Sequence, residues 1–355
     1  MSKEVRVGQL KMGGGNPVVI QSMLSCHTWD TEKAMDQIRR LAEAGCQMVR
    51  MAVPDEKSAE GFAKIRKLTD LPLVADIHFD YKLALKAIEA GADKIRINPG
   101  NIGGKEQVLK VVEACKERGI PIRVGVNSGS LEKDLLEAYG GPTAEALAES
   151  ALRNVKILED MGFTDIVVSL KSSNVPTMVK AYRIVAERCD YPLHIGVTEA
   201  GTNTEGIIKS AVGLGALLLD GIGDTLRVSL TGDPVQEIYA ARKILSAAGL
   251  RQEPLEIISC PTCGRTEVDL LSVVGEVEKV LTPLCDARAK EGKAPLKVAV
   301  MGCAVNGPGE AREADLGVAC GPGKGLLFRK GEVLETVPEE EIAGALAEMV
   351  RQMEE

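Results

Sequence analysis

Short apolar runs rich in Val and Ile alternate with segments of helical periodicity from residue 17 to about residue 245. The runs lie at 18–22, 48–53, 71–77, 94–98, 122–126, 165–170, 194–198 and within 216–230. Parallel strands that are covered by helices read as continuous apolar runs, so the pattern predicts eight β/α units. A closed (β/α)8 TIM-type barrel is the leading interpretation, and a doubly wound open sheet is the alternative.

The helices between these runs are predicted from apolar side chains that recur every 3.6 residues. The first helix has such a face at Ala34, Met35, Ile38, Leu41 and Ala42, and the fourth at Val108, Leu109, Val111, Val112 and Cys115. Glycines are expected to end the helices at positions 45, 91, 119, 162, 215 and 249. Residues 5–13 precede the first run and are predicted to form a small hairpin that plugs the barrel floor.

The repeating pattern breaks near residues 249–254, which predicts a barrel domain over 1–249 and a second domain over 250–355. In the second part, strands are expected at 255–259, 296–301, 316–319 and 326–335, the last turning at Lys330-Gly331. Helices are expected at 268–284 and 342–353. These elements predict a small α+β domain.

Composition narrows the class of protein. The chain of 355 residues is 45% apolar and 26% charged, as is typical of a soluble enzyme. Its net charge of −8 and its 3% aromatic content argue against binding to nucleic acid or to a membrane surface. No signal core or membrane span is present, and nine cysteines are an odd number that suits reduced thiols. We therefore expect a cytoplasmic protein.

Cationic side chains recur near the carboxyl ends of the predicted strands, where barrel enzymes place their chemistry. They are Arg50, Arg96, Arg123, Lys171 and Arg227. Each arginine could pair with a neighbouring carboxylate. Five cations at equivalent positions of an acidic protein instead favour a small polyanion, and a diphosphate is the expected ligand.

Three further residues at strand ends are acid–base candidates: Asp76, His78 and Glu199. For Glu199 the alternative role is an ion pair with one of the arginines. His27 and His194 are interpreted as structural, and Trp29 as a packing residue.

The second domain carries Cys260 and Cys263 in a Cys-x-x-Cys loop, with Cys303 and Glu310 after a later strand. A Cys-x-x-Cys pair alone fits zinc, a redox dithiol or an iron–sulfur cluster. Three thiols and one carboxylate suit an iron–sulfur cluster with an exchangeable position. Cys285 and Cys320 could complete a four-thiolate structural site, but they are interpreted as packing residues.

The remaining cysteines are given no role in the chemistry. Cys46 and Cys115 are expected to be buried, and Cys189 to be structural. Cys26 follows the first strand and stays ambiguous.

Several motifs occur together in one order along the chain. They are VIQSM at 19–23, DIHF at 76–79, KIRINPGN at 94–101, RVGVNSGS at 123–130, SLKSS at 169–173, HIGVTEAG at 194–201, RVSLT at 227–231, ISCPTCGRT at 258–266, MGC at 301–303 and PGE at 308–310. With them the chain resembles, nearly end to end, the bacterial 4-hydroxy-3-methylbut-2-enyl diphosphate synthase family (the GcpE or IspG family). The spacing matches the short bacterial form, without a large inserted domain.

The resemblance implies a function and a site. Members of the family open 2-C-methyl-D-erythritol 2,4-cyclodiphosphate reductively, with loss of water, to (E)-4-hydroxy-3-methylbut-2-enyl diphosphate in the non-mevalonate pathway. By position, the resemblance implies a 4Fe–4S cluster on Cys260, Cys263, Cys303 and Glu310. It implies substrate binding by Arg50, Arg96, Arg123, Asn127, Lys171, Arg227 and Ser229, and an active-site set of Asp76, His78 and Glu199. It also implies a homodimer, in which the cluster domain of one chain closes over the barrel of the other, and flavodoxin or ferredoxin as electron donor.

Two other classes of function fit part of the sequence. One is a phosphate-binding barrel synthase or aldolase whose second domain holds structural zinc. The other is an electron carrier or iron-handling module without catalysis. The cations of the barrel argue against the carrier, because a carrier has no use for a diphosphate pocket.

Overall fold

The structure, a computed structural model, describes residues 1–303 and 313–353. The chain divides into two compact units, Met1–Arg251 and Gln252–Glu355. Each unit has its own hydrophobic core. Among the described residues, no helix combines the length and the apolar character that crossing a bilayer requires.

The first unit is a nearly closed eight-stranded parallel barrel, as predicted. Its strands are β3 (Val19–Met23), β4 (Met48–Ala52), β5 (Leu73–Asp76), β6 (Lys94–Ile97), β7 (Ile122–Asn127), β8 (Ile166–Lys171), β9 (His194–Ile195) and β10 (Thr225–Leu226). The strand order is β8-β7-β6-β5-β4-β3-β10-β9. A parallel bridge joins Val168 of β8 to Leu193, directly before β9, and brings the two ends of the sheet together.

Helices cover the outside of the barrel. They are α1 (Thr31–Glu43), α2 (Glu56–Arg66), α3 (Tyr81–Glu89), α4 (Lys105–Arg118), α5 (Lys133–Tyr139), α6 (Ala144–Asp160), α7 (Val175–Arg188), α8 (Asn203–Leu219) and α9 (Pro234–Ala247). Several begin at an Asp or Asn whose side chain accepts a hydrogen bond from the first turn, as Asp55 does from the Ser58 N–H at 2.8 Å.

Along each strand, successive side chains point alternately to the outer and the inner face of the barrel wall. One set of strand residues, including Val49, Ile95, Val124 and Val168, belongs to the large core beneath the helices. The other set points into the barrel, because successive side chains of a strand lie on opposite faces. On β3, β4, β5 and β8 this interior set begins with an apolar residue and continues with polar ones, whereas on β6 and β9 it begins with Lys94 and His194.

The predicted hairpin is present as the antiparallel strands β1 (Val5–Val7) and β2 (Leu10–Met12). Val5, Val7 and Met12 are buried in one cluster with the strand residues Val19, Met48, Val74 and Val167. These are inward-facing residues near the amino ends of their strands. The hairpin therefore seals the barrel floor.

The second unit is a five-stranded mixed sheet with helices packed on one face. Within the described residues its strands are β11 (Leu255–Ser259), β12 (Leu296–Met301), β13 (Leu316–Gly321), β14 (Lys324–Arg329) and β15 (Glu332–Pro338), and its helices are α10 (Leu270–Lys290) and α11 (Ile342–Gln352). The strands follow that order across the sheet, and β11, β12 and β13 are parallel. The reversal at Lys330-Gly331 has left-handed backbone at both residues, with φ values of 48° and 82°.

Some local predictions were wrong. Gly215 lies inside α8, and Gly221, with φ 73°, follows the end of that helix instead. Ala42 and Leu109 were placed on buried helix faces but are exposed. An additional helix, α5, precedes α6 where one helix was expected.

Candidate functional site

A pocket of about 380 Å³ opens at the carboxyl ends of the barrel strands. Its lining comes from the ends of six strands and comprises Arg50, Asp76, His78, Arg96, Asn127, Ser128, Gly129, Ser130, Lys171, Ser173, Thr198 and Glu199. Parallel strands carry their carboxyl ends to one rim, which is why residues distant in sequence meet here.

Asp76 at the end of β5 is the centre of a buried ion-pair network. Its Oδ1 lies 3.1 Å from Arg96 Nη1, and its Oδ2 lies 3.6 Å from Arg50 Nε. Burial raises the pKa of Asp76, but Arg50, Arg96 and Arg123 outweigh burial and lower it to about 2. Asp76 is therefore an anion at neutral pH that orients two guanidinium groups.

Arg50 and Arg227 both point at the sulfur of Met23. Arg50 Nε and Nη2 lie 3.1 and 2.8 Å from Met23 Sδ, and Arg227 Nη1 lies 3.5 Å from it. A thioether is a weak acceptor, so these donors keep most of their capacity for a stronger one. Arg227 also forms a two-point pair with Glu237, at 3.0 and 2.9 Å.

Arg123 lies behind the lining and is completely buried. None of its three side-chain nitrogens has a hydrogen-bond partner among the described residues. Burial and the neighbouring Arg50 and Arg96 lower the pKa of Arg123. The next inward position, Gly125, leaves space for a neighbour, because a Cβ there would lie 2.4 Å from Arg96 Nε.

His78 and Glu199 are the titratable groups of the lining that reach towards solvent. His78 Nε2 lies 3.1 Å from Arg96 Nη1, and burial lowers the pKa of His78 below 6.5. A neutral imidazole can then accept the arginine hydrogen bond at Nε2. Glu199 is exposed and has a φ of 51°, an unfavourable backbone conformation for a residue with a side chain. Such strain is common where a loop presents a side chain to a ligand.

Positive charge dominates this end of the barrel. The five predicted cations outnumber the two buried carboxylates, Asp76 and Glu237, that contact them. Burial and four neighbouring arginines lower the pKa of Lys171 well below its usual value. An anion in the pocket would relieve this mutual repulsion.

The predicted substrate residues are therefore only partly brought together at the lining. Arg50, Arg96, Asn127 and Lys171 line the pocket, whereas Arg123, Arg227 and Ser229 do not. The alternative expectation of carboxylate partners holds for three arginines, which pair with Asp76 or Glu237. Arg123 has no such pair in the described part of the chain.

Three of the predicted cluster ligands lie near one edge of the second unit. Cys260 and Cys263 follow β11, and Cys303 follows the adjacent parallel strand β12. The Gly302 N–H donates to Cys260 Sγ at 3.2 Å, which ties the two loops together. Within residues 1–303 and 313–353, no three His, Cys, Asp or Glu side chains already form a metal-binding group. Glu310 lies outside the described residues.

The thiols of this edge differ from the remaining cysteines. Hydrogen bonds from the Arg265 backbone and side chain lower the pKa of the exposed Cys263 thiol. Cys285 and Cys320 are buried in the helix–sheet core. Cys46 and Cys115 are also buried, which raises their pKa values to about 11 and about 12.

The aromatic prediction for Trp29 was wrong in part. Trp29 is 38% exposed and stacks on His27, with ring centroids 5.0 Å apart. His194, expected to be structural, is fully buried and lies 3.3 Å from Thr225 Oγ1 through Nδ1.

Three residues of the network were not predicted from the sequence. Glu237 is a carboxylate on the buried face of α9, in register with Ala241 and Ile244, and that misplaced polarity was the available signal. Lys94 precedes Arg96 by two residues and so faces inward with it. Met23 gave no signal, because a thioether reads as an ordinary apolar residue.

The barrel and its pocket define an enzyme of the (β/α)8 class whose strand-end rim is rich in cationic side chains. Two family models match the chain: the GcpE TIM-barrel domain over residues 2–242 and the GcpE protein C-terminal domain over residues 256–352. The chain belongs to the GcpE family.

Relatives support this assignment over the full length. The chain is 56% identical to the 4-hydroxy-3-methylbut-2-en-1-yl diphosphate synthase (flavodoxin) of Caldanaerobacter subterraneus subsp. tengcongensis, over 99% of this chain and 97% of the relative. It is 58% identical to the protein of the same name from Bacillus subtilis, over 96% of this chain and 88% of the relative.

Solved structures show the barrel fold in more distant proteins. The dihydropteroate synthase of Yersinia pestis superimposes with a TM-score of 0.51 at 12% identity, covering 70% of this chain and 100% of that structure. The N-acetylneuraminic acid synthetase of Leptospira borgpetersenii superimposes with a TM-score of 0.51 at 14% identity, covering 70% of this chain and 91% of that structure.

Proposed function

We propose that this enzyme converts 2-C-methyl-D-erythritol 2,4-cyclodiphosphate into (E)-4-hydroxy-3-methylbut-2-enyl diphosphate in the non-mevalonate isoprenoid pathway. The reaction consumes two electrons, opens the ring and releases water. The names of the full-length relatives support this product. The observation that carries the proposal is the excess of buried cations around the pocket, which suits a diphosphate.

The lining residues bind the diphosphate. Arg50 and Arg96 present guanidinium groups whose orientation Asp76 fixes. A guanidinium fork matches the oxygens of a phosphate, and Lys171 and Asn127 add donors at the rim. Arg123, Arg227 and Ser229 lie outside the lining and act from behind it, the two arginines through their charge. The cations also stabilise the negative charge that the diphosphate gains when one of its two C–O bonds breaks and the ring opens, while the other bond keeps it on the carbon skeleton.

Proton handling falls to Glu199 and His78. Both line the pocket, and Glu199 reaches solvent from a strained loop. The third candidate, Asp76, holds its charge down to about pH 2, so it positions arginines rather than exchanging protons. Glu199 delivers the proton that the departing oxygen requires.

The second unit holds the redox cofactor. Cys260, Cys263, Cys303 and Glu310 would hold a 4Fe–4S cluster, which supplies the two electrons singly when bound. The hydrogen bond from Gly302 to Cys260 and the shared strand edge support this ligand set. Soft thiolates with one carboxylate suit iron rather than structural zinc, for which four tight ligands are usual. Flavodoxin or ferredoxin delivers the electrons, and the relatives' names favour flavodoxin.

We further infer a cytoplasmic homodimer. The face formed by α8 and α9 exposes Ile208, Val212 and Leu219, at 59%, 60% and 75% of their surface. A cavity of about 540 Å³ lies between these two helices. An apolar surface of this kind suits a second copy of the chain. Val212→Asp should yield a monomer in sedimentation, whereas Leu271→Asp, at an exposed apolar residue of α10, should not.

Turnover under strictly anaerobic conditions tests the proposal. Reconstituted protein with reduced flavodoxin should convert the cyclodiphosphate to the linear diphosphate, as followed by ³¹P NMR. Arg96→Met should abolish this conversion, and Arg183→Met, which removes a surface pair with Asp220, should leave it intact. Reconstituted protein that neither binds nor converts the cyclodiphosphate would refute the function.

A further inference from the structure

A layer of buried polar side chains lies inside the barrel, between the hairpin floor and the pocket. Gln21, Lys94, Arg123 and His194 come from four different strands, and each is at most 1% exposed. Both amide atoms of Gln21, the Lys94 Nζ, all three nitrogens of the Arg123 guanidinium and the His194 Nε2 have no hydrogen-bond partner among the described residues. Buried polar atoms are rarely left in this state.

Lys94 is the member of this layer whose burial in the charged form costs the most free energy. It is completely buried and forms no ion pair within residues 1–303 and 313–353. The charged groups that act on it most strongly, Arg123 and Arg50, are themselves positive. The nearby carboxylates are engaged elsewhere, Asp76 with Arg50 and Arg96, and Glu237 with Arg227. A buried ammonium in such surroundings is strongly disfavoured.

We propose that Lys94 is a charge-adjusting residue of the anion site, neutral while the pocket is empty and protonated when a doubly charged anion binds above it. The anion offsets the field of Arg50 and Arg123, so the ammonium form becomes acceptable only then. In consequence the site gains one cation on binding, without any contact between Lys94 and the ligand. This rests on the proposed function for the identity of the natural anion.

The surroundings of Lys94 support this behaviour. Burial lowers its pKa first, and Arg123 and Arg50 lower it further. His194 on β9 lies in the same field, and burial, Arg123 and Lys94 lower its pKa. The other charged groups facing this interior are Arg96, Lys171, Arg227, Asp76 and Glu237, with His78 at the pocket and the phenol Tyr182 behind Arg123.

Proton uptake has a definite effect on affinity. The pKa of Lys94 is higher in the bound state than in the free state. Binding is therefore strongest below the free-state pKa and weakens as pH rises towards the bound-state pKa. Between the two values, affinity falls by about tenfold for each pH unit, as expected for one proton.

Calorimetry in two buffers of different ionisation enthalpy at the same pH measures this uptake directly. Sulfate is one probe, because it stays doubly charged throughout the neutral and mildly alkaline range, and the cyclodiphosphate is the other. Wild-type protein should take up close to one proton per anion at the pH of maximal uptake. Lys94→Met, which has similar length and no charge, should lose that uptake. Lys180→Met, at a surface lysine paired with Glu145, should behave like the wild type.

A second measurement guards against a variant that fails to fold. In wild-type protein with labelled lysine side chains, the Lys94 Cε and Nζ resonances should move from neutral to protonated shifts when anion is added. Equal uptake by Lys94→Met and wild type would overturn the proposal and would point to His78, Lys171 or His194 instead. Unchanged lysine shifts, or wild-type binding without proton uptake, would overturn it as well.

The two probes separate this proposal from the proposed function. Proton-coupled binding of sulfate without any binding of the cyclodiphosphate would uphold the role of Lys94 and refute the substrate. Binding of the cyclodiphosphate with no change in bound protons would do the opposite. Binding of neither anion would refute both.

Discussion

Asp76→Asn keeps the shape of the side chain but removes the negative charge that lies between Arg50 and Arg96. The carboxylate oxygens are 3.6 and 3.1 Å from these two groups, and all three side chains are nearly fully buried. The amide keeps one acceptor oxygen instead of two, and it cannot offset two guanidinium charges. We expect the variant to fold with a markedly less stable barrel.

The size of the effect follows from the pKa of Asp76. The arginines hold this pKa near 2 against a usual value of 3.8, despite burial. At about 1.4 kcal/mol for each tenfold change, the difference corresponds to roughly 2.5 kcal/mol at neutral pH. Removing one partner of a buried ion pair costs roughly 3–5 kcal/mol in general. The two figures describe the same lost interaction and are not added, so a loss of about 2–4 kcal/mol is expected. For a unit of this size, that lowers the melting temperature by roughly 4–10 °C.

Differential scanning calorimetry of the full chain is the assay. Asp134→Asn is the matched control, because it removes a carboxylate from a surface pair with Arg153 and should lower the melting temperature by less than about 2 °C. Sulfate should stabilise Asp76→Asn more than wild type, since the variant has one more uncompensated positive charge. Asp76 contributes its full stability above the pKa of the unfolded chain, so the difference between wild type and variant should close as pH falls from about 4 to about 2.

A melting temperature for Asp76→Asn within about 2 °C of wild type, in the absence of anions, would refute this reasoning. It would mean that the network is hydrated or rearranged enough to dispense with the carboxylate. Equal stabilisation of both proteins by sulfate would show that Asp76 does not set the charge of the pocket.

Three further predictions test other parts of the site. Arg123→Met should melt at or above the wild-type temperature, because an unpartnered buried charge costs stability. The same variant should bind the cyclodiphosphate at least about tenfold more weakly by calorimetry, because that charge attracts the anion. A destabilised variant with normal affinity would contradict this. Gly125→Ala should weaken the same binding severalfold, since its Cβ would lie 2.4 Å from Arg96 Nε and displace that side chain, whereas Gly129→Ala, with open space at its Cβ, should bind normally. Cys263→Ser should lose iron and the broad visible absorbance after anaerobic reconstitution, and Cys285→Ser should keep both; loss of iron from both variants would remove the distinction between ligand and core cysteine.

The barrel was predictable because its physics is local. Continuous apolar runs at regular spacing specify buried parallel strands, and the strands appear within one or two residues of their predicted ends, except at β9 and β10. Those two strands have two residues each, because the chain leaves the sheet early at Gly196 and after Leu226. At Gly196 a Cβ would lie 2.7 Å from the Arg227 carbonyl oxygen, so close backbone approach replaces regular pairing there.

The wrong predictions concern positions that only the folded helices define. Gly215 reads as a helix stop but lies inside α8, where a Cβ would meet nothing within 4 Å, so no close contact requires a glycine there. Gly213 is the closely packed glycine of this helix, since a Cβ there would lie 2.9 Å from Met178 Cε. Periodicity alone also could not tell that Leu109 and Ala42 lie at the margins of their buried faces.

The five cations of the network were predictable from the sequence, but their partners and their arrangement were not. Strand-end position identified the five cations, whereas their partners depend on which side chain reaches across the barrel. Glu237 lies on a helix, ten residues after Arg227, so the positions of strand ends could not predict that the two side chains pair. The burial of Arg123 could not be predicted from the sequence either, because an arginine at such a position can contact a ligand or can lie buried inside the barrel.

The hairpin seal gives the barrel a single mouth. With Val5, Val7 and Met12 closing the lower end, whatever enters the charged interior must leave by the way it came. The product must therefore dissociate through the same opening before the next substrate can bind. The product would then be a competitive inhibitor of the substrate, with a strength set by the diphosphate that both would carry.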